Sequence, residues 1–139
     1  GTRYVSGKWT EAGPSMYMDN IPVIRYSEVL LNRAEAYAES GKEDLARADV
    51  NRLRANRNLG PIASTVTGQA LITAILKERR TELAFEGHRW FDLKRRGMDI
   101  PKPAAIRLPA LAYTDFRILA PLSSTEIQSD PLLKQNPGY

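Results

Sequence analysis

Apolar residues recur at helical spacing in the first third of the chain and predict two amphipathic helices. The first covers residues 25–40, and its apolar face carries Leu30, Ala34, Tyr37 and Ala38. The second covers residues 43–57, with an inner face of Leu45, Ala46, Val50 and Leu53. Gly41 stands between them, where a left-handed glycine ends many helices. So short a link forces the two helices into an antiparallel hairpin.

The order of small and large residues in this hairpin resembles that of a tetratricopeptide repeat. The positions that carry the resemblance are Ala34, Tyr37, Gly41, Ala46 and Val50. The two alanines allow the helices to approach closely, and the tyrosine fills the space between them. A single unit of this kind cannot bury its outer face alone, so it needs helical neighbours.

A longer helix is predicted over residues 69–86, with Thr67 as its N-cap. Its apolar stripe consists of Ile72, Ile75, Leu76 and Leu83. Gly87 interrupts the pattern, and a short helix over 89–96 ends at Gly97. From residue 99 the chain carries six prolines, and the pattern predicts an extended segment at 116–119 and one helical turn at 123–127. We expect an all-α fold in one domain, residues 1–139.

Composition narrows the possible functions. The 139 residues contain no cysteine, which excludes disulfides, thiolate metal sites and cysteine nucleophiles. The formal net charge of +4 is modest and spread along the chain, as expected for a solvated surface. No stretch approaches the 18 apolar residues of a membrane-spanning helix.

The segment 77–95, KERRTELAFEGHRWFDLKR, closely resembles the signature of the SusD/RagB family. Three further blocks agree in the same order. They are 22–36 as the family's entry helix, 46–54 as the following helix, and 119–139 as its carboxyl terminus. The resemblance extends over nearly the whole chain.

The resemblance implies a tetratricopeptide-like superhelix with long loops, in a longer protein of which this chain is the carboxyl-terminal part. Family members bind glycans or peptides at the cell surface and cover a SusC-like TonB-dependent transporter. They are held on the extracellular face of the outer membrane by a lipid anchor, which we expect to lie outside this chain. The resemblance implies neither enzymatic activity nor a cofactor.

Charged residues near the middle of the chain predict a structural ion-pair lattice. Glu78, Glu82 and Glu86 share one helix face, while Arg79 falls on the apolar stripe and needs a buried partner. Arg25 and Arg89 are candidate partners from neighbouring segments, and Asp92 can bridge to Arg95 or Arg96. The members are Arg25, Glu78, Arg79, Glu82, Glu86, Arg89 and Asp92.

Three other interpretations of these residues are weaker. Paired carboxylates can hydrolyse glycosides, but neighbouring arginines lower a carboxyl pKa, whereas a general acid needs a raised one. His88 is the only histidine, and its spacing from Glu86 fits no metal motif, so we expect no metal site. The basic residues that could bind a nucleic acid alternate along the chain with acidic ones, so the local field is nearly cancelled, which argues against nucleic-acid binding. The basic set is Arg79, Arg80, Arg89, Lys94, Arg95 and Arg96, and the acidic set is Glu78, Glu82, Glu86 and Asp92.

Sugar binding needs exposed aromatic rings with polar groups beside them. Candidates outside the predicted helices are Tyr4, Trp9, Tyr17, Tyr113 and Phe116. Trp9 is the best placed, in a glycine-containing loop beside Lys8, Thr10 and Glu11, although covering the edge of a helical core is the commoner role of such a residue. A helical adaptor that binds a protein partner remains the alternative function.

Overall fold

A computed structural model describes residues 23–103 and 108–139 and divides the chain into two compact units, 1–86 and 87–139. The first unit contains α1 (Tyr26–Glu39), α2 (Glu43–Ala55) and α3 (Gly68–Glu82). The second contains α4 (His88–Arg95), a 3₁₀ turn (Phe116–Ile118) and α5 (Ser124–Ser129). One isolated antiparallel bridge, between Ile100 and Leu111, is the β-structure within the described ranges. The all-α prediction is confirmed, while a single domain over 1–139 stays a prediction.

The core of the first unit lies where three helices meet. Leu31 and Ala34 of α1 pack against Ala46, Val50 and Leu53 of α2 and against Leu71 and Ile75 of α3. Tyr37 and Ala38 pack at the edge of this core, as their helical spacing predicts. The predicted inner-face role of Leu45 is wrong, because its side chain is 50% exposed. Leu45 shares the solvent face of α2 with Ala48 and Arg52.

The turn between α1 and α2 follows from one glycine. Gly41 adopts a left-handed φ of 72°, which turns the chain sharply after α1. The amide of Lys42 then donates to the Tyr37 carbonyl at 2.8 Å, and the Gly41 amide donates to the Ala38 carbonyl at 3.1 Å. These two bonds form a Schellman motif and confirm the predicted end of the helix.

A polar stripe along α2 holds the connection to α3. Its members are Glu43, Arg47, Asn51 and Arg54, spaced so that they face the same side of the helix. Glu43 accepts from the Gly68 amide at 2.7 Å, and Asn51 accepts from the Ile62 amide at 2.8 Å. Arg47 donates to the Val66 carbonyl and Arg54 to the Gly60 carbonyl, both at 2.7 Å. Four main-chain polar groups of this connection are thus satisfied by side chains instead of by regular secondary structure.

The helix α3 starts as predicted but ends four residues early. Thr67 is the N-cap residue, with its carbonyl rather than its hydroxyl accepting from the amides of Ala70 and Leu71. At the other end, Arg25 Nη2 donates to the Glu82 carbonyl at 2.9 Å and replaces a helical bond. Phe85 and Gly87 then take left-handed φ values of 65° and 81°, which no helix can include.

The second unit has a small apolar cluster of its own. Leu93, Ile100 and Ile118 are buried together, with Leu111 packed against them. The extended segment predicted at 116–119 is wrong in its first three residues. Asp115 accepts a hydrogen bond from the Arg117 amide at 2.9 Å and bends Phe116–Ile118 into a 3₁₀ turn. The α5 helix is longer than predicted, and the hydroxyl of Ser123 caps it by accepting from the Glu126 amide.

We predict that Gly41→Ala destabilises the chain by about 1–2 kcal/mol, since a side chain in the left-handed region is strained. A Cβ at Gly41 meets open space, so the loss comes from the backbone alone. Urea unfolding of the two proteins measures the difference. Gly60→Ala is the matched control, because it also meets open space but lacks a positive φ, and we expect no loss there. Equal effects of both substitutions would contradict this account.

Candidate functional site

Glu82 lies at the centre of the ion-pair lattice, at the end of α3. Its side chain is only 8% exposed. Arg57 donates to both carboxylate oxygens, from Nε at 3.0 Å and from Nη2 at 2.8 Å. Arg25 donates to the same carboxylate from Nη1 at 3.1 Å. One carboxylate therefore joins the residue before α1, the residues after α2 and the last turn of α3.

Arg25 also reaches the turn that follows α3. Its Nε and Nη2 donate to the two carboxylate oxygens of Glu86 at 2.9 and 2.8 Å. Together with the bond to the Glu82 carbonyl, the guanidinium engages a helix end and two carboxylates at once. A planar guanidinium suits this arrangement because its donors point in fixed directions. Arg25 is the second centre of the lattice.

Three other predicted members of the lattice, Arg79, Glu78 and Asp92, have partners within their own units. Arg79 is buried, as its place on the apolar stripe predicts, and it donates to the side-chain oxygen of Asn32 on α1. Glu78 is buried and accepts from Arg54 Nη1 at 2.6 Å. In the second unit, Asp92 is buried and accepts from Arg95 Nη2 at 2.8 Å. Arg89 lies half-buried in the first turn of α4.

Three partners in these pairs were missed by the sequence analysis. They are Arg54, Arg57 and Asn32. Arg54 and Arg57 are spaced i, i+3 beside Leu53, a spacing that indicates that both lie at the edge of the core. The pattern did not indicate which carboxylate each would meet, because that depends on how α3 packs across the hairpin.

The ion pairs fix the charge of the central carboxylate. The hydrogen bonds from Arg57, together with those from Arg25, lower the pKa of Glu82 to about 2 against the opposing effect of burial. The carboxyl group is thus ionised at neutral pH and cannot act as a general acid there. Within the described residues there is no cluster of three metal-ligating side chains and no helix suited to crossing a membrane.

Of the aromatic candidates for ligand binding, Tyr113 and Phe116 lie in the described residues. Tyr113 is 51% exposed, and its ring lies beside Gly97. Its backbone amide donates to Asp99 at 3.0 Å. Phe116 is 44% exposed and packs edge-on against Tyr139, with ring centroids 5.0 Å apart. Tyr4, Trp9 and Tyr17 lie outside the described residues, so their role as ligand contacts stays a prediction.

The helical hairpin and its buried ion pairs define an all-helical scaffold of the tetratricopeptide type. The model of the SusD family matches residues 2–102, and the chain belongs to this family.

Curated relatives share about a third of their aligned residues with the chain. A SusD-like protein, P38, from Formosa agariphila is 34% identical over 91% of the chain and 26% of its own length. The starch-binding protein SusD of Bacteroides thetaiotaomicron is 33% identical over 86% of the chain and 22% of its own length. The chain thus spans about a quarter of the length of these relatives.

Solved structures show the same helical fold. A SusD superfamily protein from Bacteroides vulgatus superposes with a TM-score of 0.70 and 28% identity, over 84% of the chain and 27% of that protein. A SusD-like protein from Bacteroides fragilis gives a TM-score of 0.65 and 30% identity, over 84% and 25% respectively. The family and the tetratricopeptide-like architecture expected from the sequence are confirmed.

We predict that Glu82→Gln destabilises the chain by about 1–3 kcal/mol. The loss falls below that of a fully buried pair because half of the Arg57 side chain is exposed to water. Chemical denaturation at pH 7 measures it. Asp44→Asn is the matched control, since Asp44 pairs with Arg47 but is itself fully exposed, and we expect a change below about 0.5 kcal/mol. A loss for Asp44→Asn as large as for Glu82→Gln would rule out the central role of Glu82.

The same pair of proteins tests a pH dependence. The pKa of Glu82 is lower in the folded chain than its ordinary value of 4.5, so its stabilising effect is complete above about pH 4.5. The effect is lost as the pH falls towards 2, where the folded carboxyl takes up its proton. We therefore expect the stability difference between the natural chain and Glu82→Gln to be constant from pH 7 to 5 and to shrink from pH 4 to 2.5. A difference independent of pH over that lower range would show that the Glu82 charge contributes nothing.

Proposed function

We propose that the chain is part of a non-catalytic cell-surface protein that binds oligosaccharides for import through a TonB-dependent outer-membrane transporter. Membership of the SusD family carries the proposal, and one relative is named as a starch-binding protein. The partners are a glycan or peptide ligand and a SusC-like transporter. The protein lies on the extracellular face of the outer membrane and is held there by a lipid anchor.

The geometry of the carboxylates supports binding without catalysis. Glu78, Glu82 and Glu86 each accept hydrogen bonds from an arginine at 3.1 Å or less. A glycosidase needs one carboxyl group that keeps its proton near neutral pH, and the low pKa of Glu82 is the opposite shift. The lattice of Arg25, Glu78, Arg79, Glu82, Glu86, Arg89 and Asp92 is structural in this proposal. Its members in the first unit fix the end of α3 on the hairpin.

Aromatic residues supply the ligand contacts in this proposal. Tyr113, in the second unit, is half exposed to solvent, and Asp99 accepts a hydrogen bond from its backbone amide. Tyr4, Trp9 and Tyr17 are the further contacts. An exposed ring of this kind can stack on the apolar face of a sugar while neighbouring polar groups bond to its hydroxyls.

A helical adaptor that binds a protein partner is the second candidate. One observation favours it: α1 begins beside a row of exposed apolar side chains, Val23, Ile24, Tyr26 and Val29. Large exposed apolar patches are typical of protein interaction sites. A tight protein partner other than a transporter would support this function.

We predict that the chain binds immobilised glycans and releases no reducing ends from them. A glycan array identifies the ligand, calorimetry then measures affinity, and a reducing-end assay over several hours tests for cleavage. We expect Trp9→Ala and Tyr113→Ala each to weaken binding about tenfold or more, the equivalent of one lost contact of about 1.4 kcal/mol. Phe91→Ala is the control, because Phe91 is 69% exposed but is not a proposed contact.

Two outcomes would overturn the proposal. The first is glycan cleavage that disappears in Glu78→Gln or Glu82→Gln, which would assign catalysis to these carboxylates. The second is an array on which no glycan or peptide binds although the chain is folded by circular dichroism. Binding that is unchanged in Trp9→Ala and Tyr113→Ala would reject these two contacts and leave the binding function in place.

A further inference from the structure

A pocket of about 420 Å³ opens in the first unit, between the start of α1 and the end of α2. Its lining residues are Arg25, Tyr26, Ser27, Leu30, Leu53, Asn56 and Arg57. The volume falls within the range of about 300–1,000 Å³ that is usual for small-molecule sites. None of these residues is among the predicted ligand contacts, and the lattice uses only the two arginines.

The base and the wall of the pocket differ in chemistry. Leu30 and Leu53 are each 4% exposed and provide an apolar base. Asn56 provides an amide group whose Nδ2 donates to the Arg52 carbonyl at 3.1 Å. Tyr26 stands beside them with 62% of its surface exposed, and the guanidinium of Arg52 lies 5.6 Å from its ring centroid. An apolar base beside a partly exposed aromatic ring and an amide is the combination that binds a sugar ring.

The guanidinium of Arg57 is a hydrogen-bond donor that is already fixed in place. Its Nε and Nη2 are held by the carboxylate of Glu82. Its Nη1 donates to no acceptor in the described ranges, so two N–H groups of a lining residue remain for a ligand. Because Glu82 holds the group in one orientation, little conformational entropy is lost when a ligand accepts from it.

The charges around the pocket favour an uncharged ligand. Arg25 and Arg57 are both neutralised by Glu82 and Glu86 through bonds of 3.1 Å or less. A multiply charged anion such as a phosphate would have to compete with these carboxylates for the same donors. A neutral hydroxyl group can accept from Arg57 Nη1 without displacing any ion pair.

We propose that this pocket is a subsite for one or two neutral sugar residues of the bound glycan, with Tyr26, Asn56 and Arg57 as its contacts. The inference rests on the proposed glycan-binding function and adds a contact surface on the helical hairpin itself. It makes Glu82 a positioning residue, since Glu82 orients Arg57 without touching the ligand.

A nuclear magnetic resonance titration of the whole 139-residue chain tests the subsite. The probes are D-glucose, D-galactose and D-mannose, with glucose 6-phosphate as the charged comparison. We expect saturable shifts of the Tyr26, Asn56 and Arg57 amides with at least one neutral sugar. Tyr26→Ala and Asn56→Ala should weaken that binding about tenfold, the effect of one lost contact or hydrogen bond. Val29→Ala is the control, an exposed residue of α1 outside the pocket lining, and should bind as the natural chain does.

The outcomes separate the subsite from the wider function. Saturable shifts confined to the pocket and lost in both variants support the inference. No saturable shift with any neutral sugar, or tighter binding of glucose 6-phosphate, overturns it. If an array glycan binds Tyr26→Ala and Asn56→Ala as tightly as the natural chain, glycan binding stands and the subsite falls. Pocket shifts from a neutral sugar without any array ligand would instead support the subsite and reject the proposed function.

Discussion

The arrangement of the three-helix unit depends on the ion pairs that Arg25 and Arg57 form with the carboxylates of Glu82 and Glu86. Both guanidinium groups converge on Glu82, and Arg25 extends to Glu86 and to a main-chain carbonyl. A carboxylate that is largely removed from water is tolerated only with such partners. The pairing sets where α3 stops, and it fixes the segment before α1 and the segment after α2 on the same helix end. The apolar core determines that the helices pack, and these pairs determine how their ends are aligned.

The helical hairpin could be predicted from the sequence because residues within each helix and the turn determine it. Gly41 ends α1 through its own backbone, and Ala34, Ala46 and Val50 have the spacing that buries them. The errors arise where a side-chain hydrogen bond to the backbone decides the conformation, whether its partner is distant or near in the sequence. Helix α3 ends at Glu82 because Arg25, 57 residues away, takes its carbonyl. The extended segment predicted at 116–119 became a 3₁₀ turn because Asp115 competes for the Arg117 amide.

In the candidate site, the burial of a residue could be predicted from its position on a helix, but its partner on another helix could not. The burial of Arg79 follows from its helical position, but its partner Asn32 belongs to another helix. Arg57 was missed because nothing in the sequence indicates that it faces Glu82 across the hairpin. The proposed subsite was missed as well. Tyr26 and Asn56 lie 30 positions apart, and the predicted antiparallel hairpin brings them near each other without indicating that a pocket opens between them.

The polar stripe of α2 holds the following loop by its main chain, and this affects which positions in the loop can change during evolution. Arg47 and Arg54 donate to main-chain carbonyls in residues 60–68, whereas Glu43 and Asn51 accept from main-chain amides there. Every amino acid except proline offers both of these main-chain groups. Ile62 and Val66 also pack against the core, and Gly68 has a positive φ, so these three positions still constrain the loop. The exposed side chains between them, Ala63, Ser64 and Thr65, can change while the path of the loop is kept. A surface built this way can acquire new chemical preferences one substitution at a time while the helices beneath it keep their registration.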